Sequence, residues 1–89
     1  MTAEERVLLK QYMRVDHDDD DALIDTLWEA AWEYLGFQDD GAKLSWLAAA
    51  GLTLYWYDGA PVGTDDNISV GLRTIINQLK VKHGGVDYF

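Results

Sequence analysis

The sequence predicts a small all-α protein: a compact bundle of about four helices, a long loop before the last helix, and an extended C-terminal tail. Three observations predict this fold. Apolar residues recur at helical spacing in four stretches, helix caps and turn residues bound those stretches, and four Trp, five Tyr and two Phe supply a core. An 89-residue chain forms one domain. We assign residues 1–81 to this helical domain and residues 82–89 to the tail.

The first helix is predicted from a capping signal at its start. Thr2 can accept a hydrogen bond from the first turn, and Glu5 follows three residues later, as in a capping box. We expect this helix to end near Met13. Three apolar residues are expected to share its buried side: Leu8, Leu9 and Tyr12.

The second helix is expected to begin near Asp18 or Asp19, since Asp caps helices and suits the first turn. It should run to Leu35, where Gly36 can adopt the left-handed conformation that ends a helix. Its apolar residues fall on one face at helical spacing: Ile24, Leu27, Trp28, Ala31, Tyr34 and Leu35.

The opposite face of the second helix carries four acids at four-residue spacing, Asp21, Asp25, Glu29 and Glu33. Like charges at this spacing cost roughly 0.2–0.5 kcal/mol per pair. No Lys or Arg lies beside them in the helix, so this acidic ridge does not help the helix fold: either it is merely tolerated in solvent, or a partner outside the helix uses it.

The third helix, predicted over about 42–57, is apolar on both faces, so it must be covered on all sides. It is therefore either the central helix or part of a subunit interface. One face consists of Leu44, Leu47, Ala48, Gly51 and Tyr55. The other is the candidate subunit interface: Trp46, Ala49, Ala50, Thr53 and Tyr57.

Residues 58–67 contain Gly59, Pro61 and Gly63 and are predicted to form the long loop. A fourth helix should begin at Ile68 or Ser69. Its expected buried stripe is Val70, Leu72, Ile75, Ile76 and Leu79.

The net charge of −9 lies entirely in residues 1–40, where twelve acidic residues outnumber three basic ones. Phosphate contacts need a basic patch, so the sequence disfavours direct DNA binding. The N-terminus does not resemble a signal peptide, and the apolar run 44–57 is too short to span a bilayer. We expect a soluble protein without membrane contact.

No pattern in the sequence favours an enzyme or a cofactor. The acidic run 16–21 begins like a calcium-binding loop, but Asp21 stands where that loop needs Gly and Leu27 where it needs Glu. A weak divalent-cation site there is an alternative to a solvated capping cluster. Neither paired carboxylates in one pocket nor a nucleophile motif is present. We predict no catalytic, cofactor or metal residues.

Three aromatic residues lie where core packing does not account for them. Trp32 falls between the apolar stripe and the acidic ridge, and Tyr88 and Phe89 belong to the tail. Because aromatic side chains are enriched at interface hot spots, these three are candidate partner-docking residues, with plain packing or disorder as the alternative.

Four segments together resemble the head–tail connector (DNA-packaging) proteins of tailed bacteriophages. Residues 9–24 resemble the family's short first helix, its Leu-Arg-Ile-Asp-like turn with an acidic pair, and its second helix beginning Leu-Ile. Residues 30–34 match its alanine pair followed by Tyr, residues 52–58 its aromatic third-helix end, and residues 68–79 its closing helix. Tyr55 stands where members often have His, and Ser69 where they often have Pro.

The resemblance implies a structural role in a virion or prophage. Such proteins form a ring of about a dozen copies beneath the portal protein, extend the DNA channel without sequence-specific binding, and receive a head-completion or tail-attachment protein. The expected location is the head–tail junction of the virion, after assembly in the host cytoplasm. In that role the acidic ridge (Asp21, Asp25, Glu29 and Glu33) suits a channel wall that repels phosphate, or a face that docks on a basic partner. The alternative is a small acidic regulator or DNA mimic that binds a basic surface, which the one-sided charge favours.

Overall fold

The computed structural model describes residues 2–37, 41–65 and 68–82 and confirms the all-α class, with four helices in the described part of the chain. These are α1 (Ala3–Met13), α2 (Asp21–Leu35), α3 (Lys43–Tyr57) and α4 (Val70–Lys82). Helix α4 includes Lys82, one residue beyond the predicted domain boundary. The rest of the predicted tail, with Tyr88 and Phe89, lies outside the described residues.

Both ends of α1 follow from local hydrogen bonds. The Thr2 hydroxyl accepts a hydrogen bond from the Glu5 N–H at 3.1 Å, which confirms the predicted cap. Arg14 ends the helix in the left-handed conformation, with φ of 61°, and its N–H donates to the carbonyls of Lys10 and Gln11. A left-handed residue reverses the chain direction here although it is not Gly.

Helix α2 begins at Asp21, later than Asp18 or Asp19, because the preceding carboxylates bind other partners. The Asp18 carboxylate accepts a hydrogen bond from Lys10 Nζ at 2.7 Å, and the Asp20 carboxylate accepts one from the Tyr57 hydroxyl at 2.6 Å. Asp20 therefore occupies the cap position without a capping hydrogen bond. The predicted stop is confirmed, with Gly36 at φ of 86°.

Helix α3 is the central helix of the bundle and contacts α1, α2 and α4. Small side chains in its middle, Ala48, Ala49 and Ala50, are completely buried and let the neighbouring helices approach closely. Gly51 continues this segment against α4, since a Cβ atom on Gly51 would lie 2.8 Å from Leu72 Cδ2. Most of the apolar character of α3 thus reflects burial inside one chain.

The candidate subunit interface on α3 is wrong in its central part, because this chain itself covers that face. Ala49, Ala50 and Thr53 are fully buried within the chain. On the other face Ala48 and Gly51 are buried too, whereas Leu44 is 49% exposed and Leu47 38% exposed. The physical reason is that α2 covers the first face along its length, whereas α1 and α4 leave part of the second uncovered.

The two remaining members of the predicted interface are held inside the chain by aromatic and polar contacts. The Trp46 ring packs against Trp28 and Tyr12, with ring centroids 5.8 Å and 6.0 Å away, respectively. Tyr57 donates its hydroxyl hydrogen to Asp20. Neither side chain is available as a simple apolar docking surface.

The buried sides of α1 and α4 differ in part from the prediction. Leu9 and Met13 are the buried residues of α1, while Leu8 is 57% and Tyr12 41% exposed. At the start of α4, Val70 is 80% exposed, and Ile76 and Leu79 supply the fully buried contacts. Both helices are therefore rotated so that part of their apolar surface faces solvent.

The loop between α3 and α4 is fixed to the core by a polar contact. Trp56 is buried, and its indole N–H donates to the Thr64 carbonyl at 2.8 Å. Arg73 of α4 donates to the Asp65 carbonyl at 2.7 Å. These contacts connect a loop of turn residues to both helices that it joins, and the Ser69 hydroxyl caps α4 by accepting from the Leu72 N–H at 3.1 Å.

Two buried hydroxyl groups on α3 predict opposite mutational effects. Ser45 Oγ is fully buried without a hydrogen-bond partner in the described residues, whereas the Thr53 hydroxyl donates to the Ala49 carbonyl at 2.8 Å. An unpaired buried hydroxyl costs about 1–3 kcal/mol. We expect Ser45→Ala to raise the free energy of unfolding by about 1 kcal/mol, measured by urea denaturation. Thr53→Ala, the matched variant, should lower it; a stability loss in Ser45→Ala would contradict the prediction.

Candidate functional site

An open apolar groove lies where α1, α3 and α4 meet, and we take it as the first candidate functional surface. Its volume is about 420 Å³. Tyr12 of α1, Leu47 and Leu54 of α3, and Leu72 and Ile75 of α4 contribute its apolar lining. Leu72 packs directly on Gly51, where a Cβ atom would lie 2.8 Å from Leu72 Cδ2, and Tyr12 in the same lining is 41% exposed.

The rim of this groove adds exposed apolar surface and little charge. Leu47 lies in its wall, and Leu44 stands one helical turn earlier on the same side of α3. Asp58 is the one charged residue in the lining, and Ser69 adds a hydroxyl that already caps α4. Apolar surface of this kind, left open by its own chain, is typical of a site that another apolar surface covers.

The acidic ridge is the second candidate surface, and the structure divides it into two halves. Arg6 donates two hydrogen bonds to the Asp25 carboxylate, with Nε 2.9 Å from Oδ1. Lys10 Nζ lies 2.8 Å from Asp21 Oδ1 and 2.7 Å from Asp18 Oδ1. The interpretation of the ridge as four unpaired acids is therefore wrong for Asp21 and Asp25, because the cations of α1 neutralise them.

The remaining half of the ridge, Glu29 and Glu33, is exposed and has no ion pair or hydrogen bond within the described residues. These carboxylates border a second, shallow recess of about 470 Å³ at the C-terminal end of α2. Its other walls are Trp32, Gly36 and Phe37. The sequence already placed Trp32 at the edge of the ridge, and the fold adds Phe37 to the same recess.

The ion pairs shift the acid–base equilibria of their members in the direction that favours the charged forms. The hydrogen bonds from Arg6 hold the pKa of Asp25 below its usual value. Lys10 does the same to the pKa of Asp18, and the pKa of Lys10 itself is raised by its hydrogen bonds to Asp18 and Asp21. The hydrogen bond to Asp20 raises the pKa of the Tyr57 hydroxyl.

Sequence reasoning missed the role of α1 in this arrangement, although a signal was available. Arg6 and Lys10 are four residues apart, the same interval that separates Asp21 from Asp25. Matching intervals on two helices allow two parallel ion pairs when the helices pack side by side. The pattern becomes informative only once α1 and α2 are known to be neighbours.

The described residues offer no other chemical centre. Within them, no group of three or more His, Asp or Glu side chains is placed to hold a metal ion, which includes the run 16–21. In the same part of the chain, none of the helices has both the length and the apolar content needed to cross a membrane. The arrangement can bind apolar and cationic groups.

Comparison with known proteins finds no matching family model, no similar curated protein and no similar solved structure.

The division of the ridge predicts opposite effects for two variants that each remove two negative charges. Glu29→Gln with Glu33→Gln should stabilise the protein by roughly 0.2–0.5 kcal/mol, because it removes a like-charge pair. Asp21→Asn with Asp25→Asn should destabilise it, because the partners on α1 lose their counter-charges. Urea denaturation at low salt measures the free energy of unfolding of both double variants. Equal effects of the two would contradict the division of the ridge into an ion-paired half and an unpaired half.

The Arg6–Asp25 pair also predicts a dependence of stability on acid. A carboxylate with a lowered pKa in the folded state contributes stability above its unfolded pKa of about 4, and that contribution is lost as the pH falls through the lower folded value. Asp25→Asn should therefore reduce the loss of stability between about pH 5 and pH 2. Arg6→Gln should reduce this acid-dependent loss of stability to a similar extent, and the double variant should reduce it no further. If the effects of the two changes were additive, the loss would not come from the Arg6–Asp25 ion pair.

Proposed function

We propose that this protein is a non-enzymatic structural subunit of a bacteriophage head–tail connector. In this proposal, copies of the chain form a ring beneath the portal protein, extend the DNA channel, and receive a head-completion or tail-attachment protein. The virion is the site of action, and the host cytoplasm is where the ring forms. The resemblance of residues 9–24, 30–34, 52–58 and 68–79 to that family motivates it.

The observation that carries the assembly role is the open apolar groove between α1, α3 and α4. A ring built from identical subunits needs two different surfaces on each, one of which receives the other from the neighbour. The groove is concave and apolar, with Leu44 and Leu47 exposed at its edge. Covering these leucines with a neighbouring subunit would remove their apolar surface from water, which favours association.

The charge distribution fits a subunit that lets DNA pass without binding it. The chain has a net charge of −9. Glu29 and Glu33 keep uncompensated carboxylates on the outer side of α2, opposite the face that packs on α3. Carboxylates repel phosphate, so a wall that carries them would not hold the DNA.

Charge mimicry of DNA is less well supported than assembly. A mimic needs a long row of uncompensated negative charges, but Arg6 and Lys10 neutralise half of the ridge on α2. What remains is one pair of carboxylates beside an aromatic recess. Such a local feature suits a single cationic contact better than an extended basic surface.

The ring is tested by electron microscopy and analytical ultracentrifugation of the purified protein, alone and mixed with portal protein. We expect closed rings in at least one of these conditions, and Leu47→Glu should abolish them, because it places a charge in the wall of the groove. Val70→Glu is the matched control, since Val70 is 80% exposed and lies outside the groove. It should leave assembly intact.

Both variants should keep the helical circular dichroism signal, because neither residue is buried. A protein that stays monomeric in every condition would overturn the proposal. Rings that form equally well with Leu47→Glu would exclude the groove as the subunit contact.

A further inference from the structure

The recess at the C-terminal end of α2 combines features that each favour a bound cation. Glu29 and Glu33 are successive members of an i, i+4 row, so their carboxylates repel each other. Glu33 also lies in the last turn of α2, which contains no basic residue. The last turn carries the partial negative charge of the helix dipole, so an acid there is unfavourable unless a cation accompanies it.

The aromatic walls of the recess favour the same type of ligand. The Trp32 ring plane makes angles of 73° and 86° with the rings of Phe37 and Trp28, and the ring centroids are 5.8 Å and 5.7 Å apart, respectively. These contacts fix the orientation of a half-buried indole beside the carboxylates. The face of an indole ring attracts cations through its quadrupole. The chain already uses this chemistry nearby, where Lys80 Nζ lies 4.9 Å from the centre of the Tyr34 ring.

The charges of α1 distinguish this recess from the rest of the ridge. Arg6 forms an ion pair with Asp25, one helical turn before Glu29, and Lys10 forms one with Asp21, two turns before it. Helix α1 supplies no third cation in register: Arg6 pairs with Asp25, so the next position towards Glu29 is Thr2, the uncharged cap residue of α1. The row of ion pairs therefore stops before the two glutamates, beside an aromatic recess of about 470 Å³.

We propose that this recess binds an arginine side chain presented by a partner protein. The aliphatic stem and the planar guanidinium would pack on Trp32 and Phe37, while the Glu29 and Glu33 carboxylates accept its hydrogen bonds. A guanidinium suits the site better than an ammonium group, because it stacks on aromatic faces and donates to two carboxylates at once. A nucleic acid is excluded by its charge. This inference goes beyond the proposed function and does not depend on ring formation.

The experiment uses the full chain and a capped six-residue peptide, Gly-Arg-Gly-Gly-Arg-Gly, followed by ¹H–¹⁵N NMR. We expect the indole N–H signal of Trp32 to shift and saturate with a dissociation constant on the order of 1 mM or below. The Trp56 indole, whose N–H donates to Thr64, is the internal reference and should not move. A peptide with citrulline in place of arginine keeps the shape without the charge and should not shift Trp32.

Two double variants test which charges matter. Glu29→Gln with Glu33→Gln should weaken binding about tenfold, through the loss of two charge-assisted hydrogen bonds. Loss of fold cannot account for that effect, because removing a like-charge pair does not destabilise the helix. Glu4→Gln with Asp19→Asn removes the same charge from exposed positions outside the recess and should change binding less than about twofold.

Phe37→Leu keeps an apolar wall without an aromatic face and should also weaken binding. The proposal is overturned if the Trp32 indole N–H signal does not shift with the arginine peptide, or if the citrulline peptide binds equally well. It is also overturned if the two double charge variants weaken binding of the arginine peptide equally. None of these outcomes bears on the ring, which the Leu47→Glu variant tests separately.

Discussion

The close packing of α3 against the other three helices is the constraint on which the rest of the structure depends. Ala48, Ala49 and Ala50 place almost no side-chain volume between α3 and its neighbours, so one helix can be shared by three. Gly51 extends this close approach, because Leu72 of α4 packs against the helix backbone where a Cβ atom would lie. The groove lies beside this contact, where α1 and α4 leave Leu47 and Leu54 of α3 incompletely covered.

Charge pairing between α1 and α2 is the second organising interaction. Without Arg6 and Lys10, α2 would carry a row of four repelling carboxylates on one side. With them, the first half of the row holds α1 in place, and the second half keeps its charge at the far end of the helix. One sequence pattern therefore serves two purposes, since the acids stabilise the fold where cations reach them and form a cation-attracting recess where they do not.

The two surfaces left by this packing differ in chemistry and in location. The groove on α1, α3 and α4 is apolar, while the recess on α2 combines carboxylates with aromatic rings. No residue is shared between their linings. A subunit with two such surfaces can hold one neighbour by apolar burial, which is insensitive to salt, and another by charge, which salt screens.

The sequence by itself determined the helices, because caps, stops and helical spacing are local. Thr2 predicted the start of α1, Gly36 the end of α2, and the apolar run of α3 both of its ends, each to within a residue. The sequence also left only two roles for α3, central helix or interface. It could not choose which apolar face is covered, since an apolar residue looks the same whether its own chain or a neighbour buries it. Nor could it find partners for Asp21 and Asp25, which lie 11 and 19 residues from Lys10 and Arg6. Only the tertiary structure decided these points, because the orientation of one helix about its axis depends on contacts from all the others.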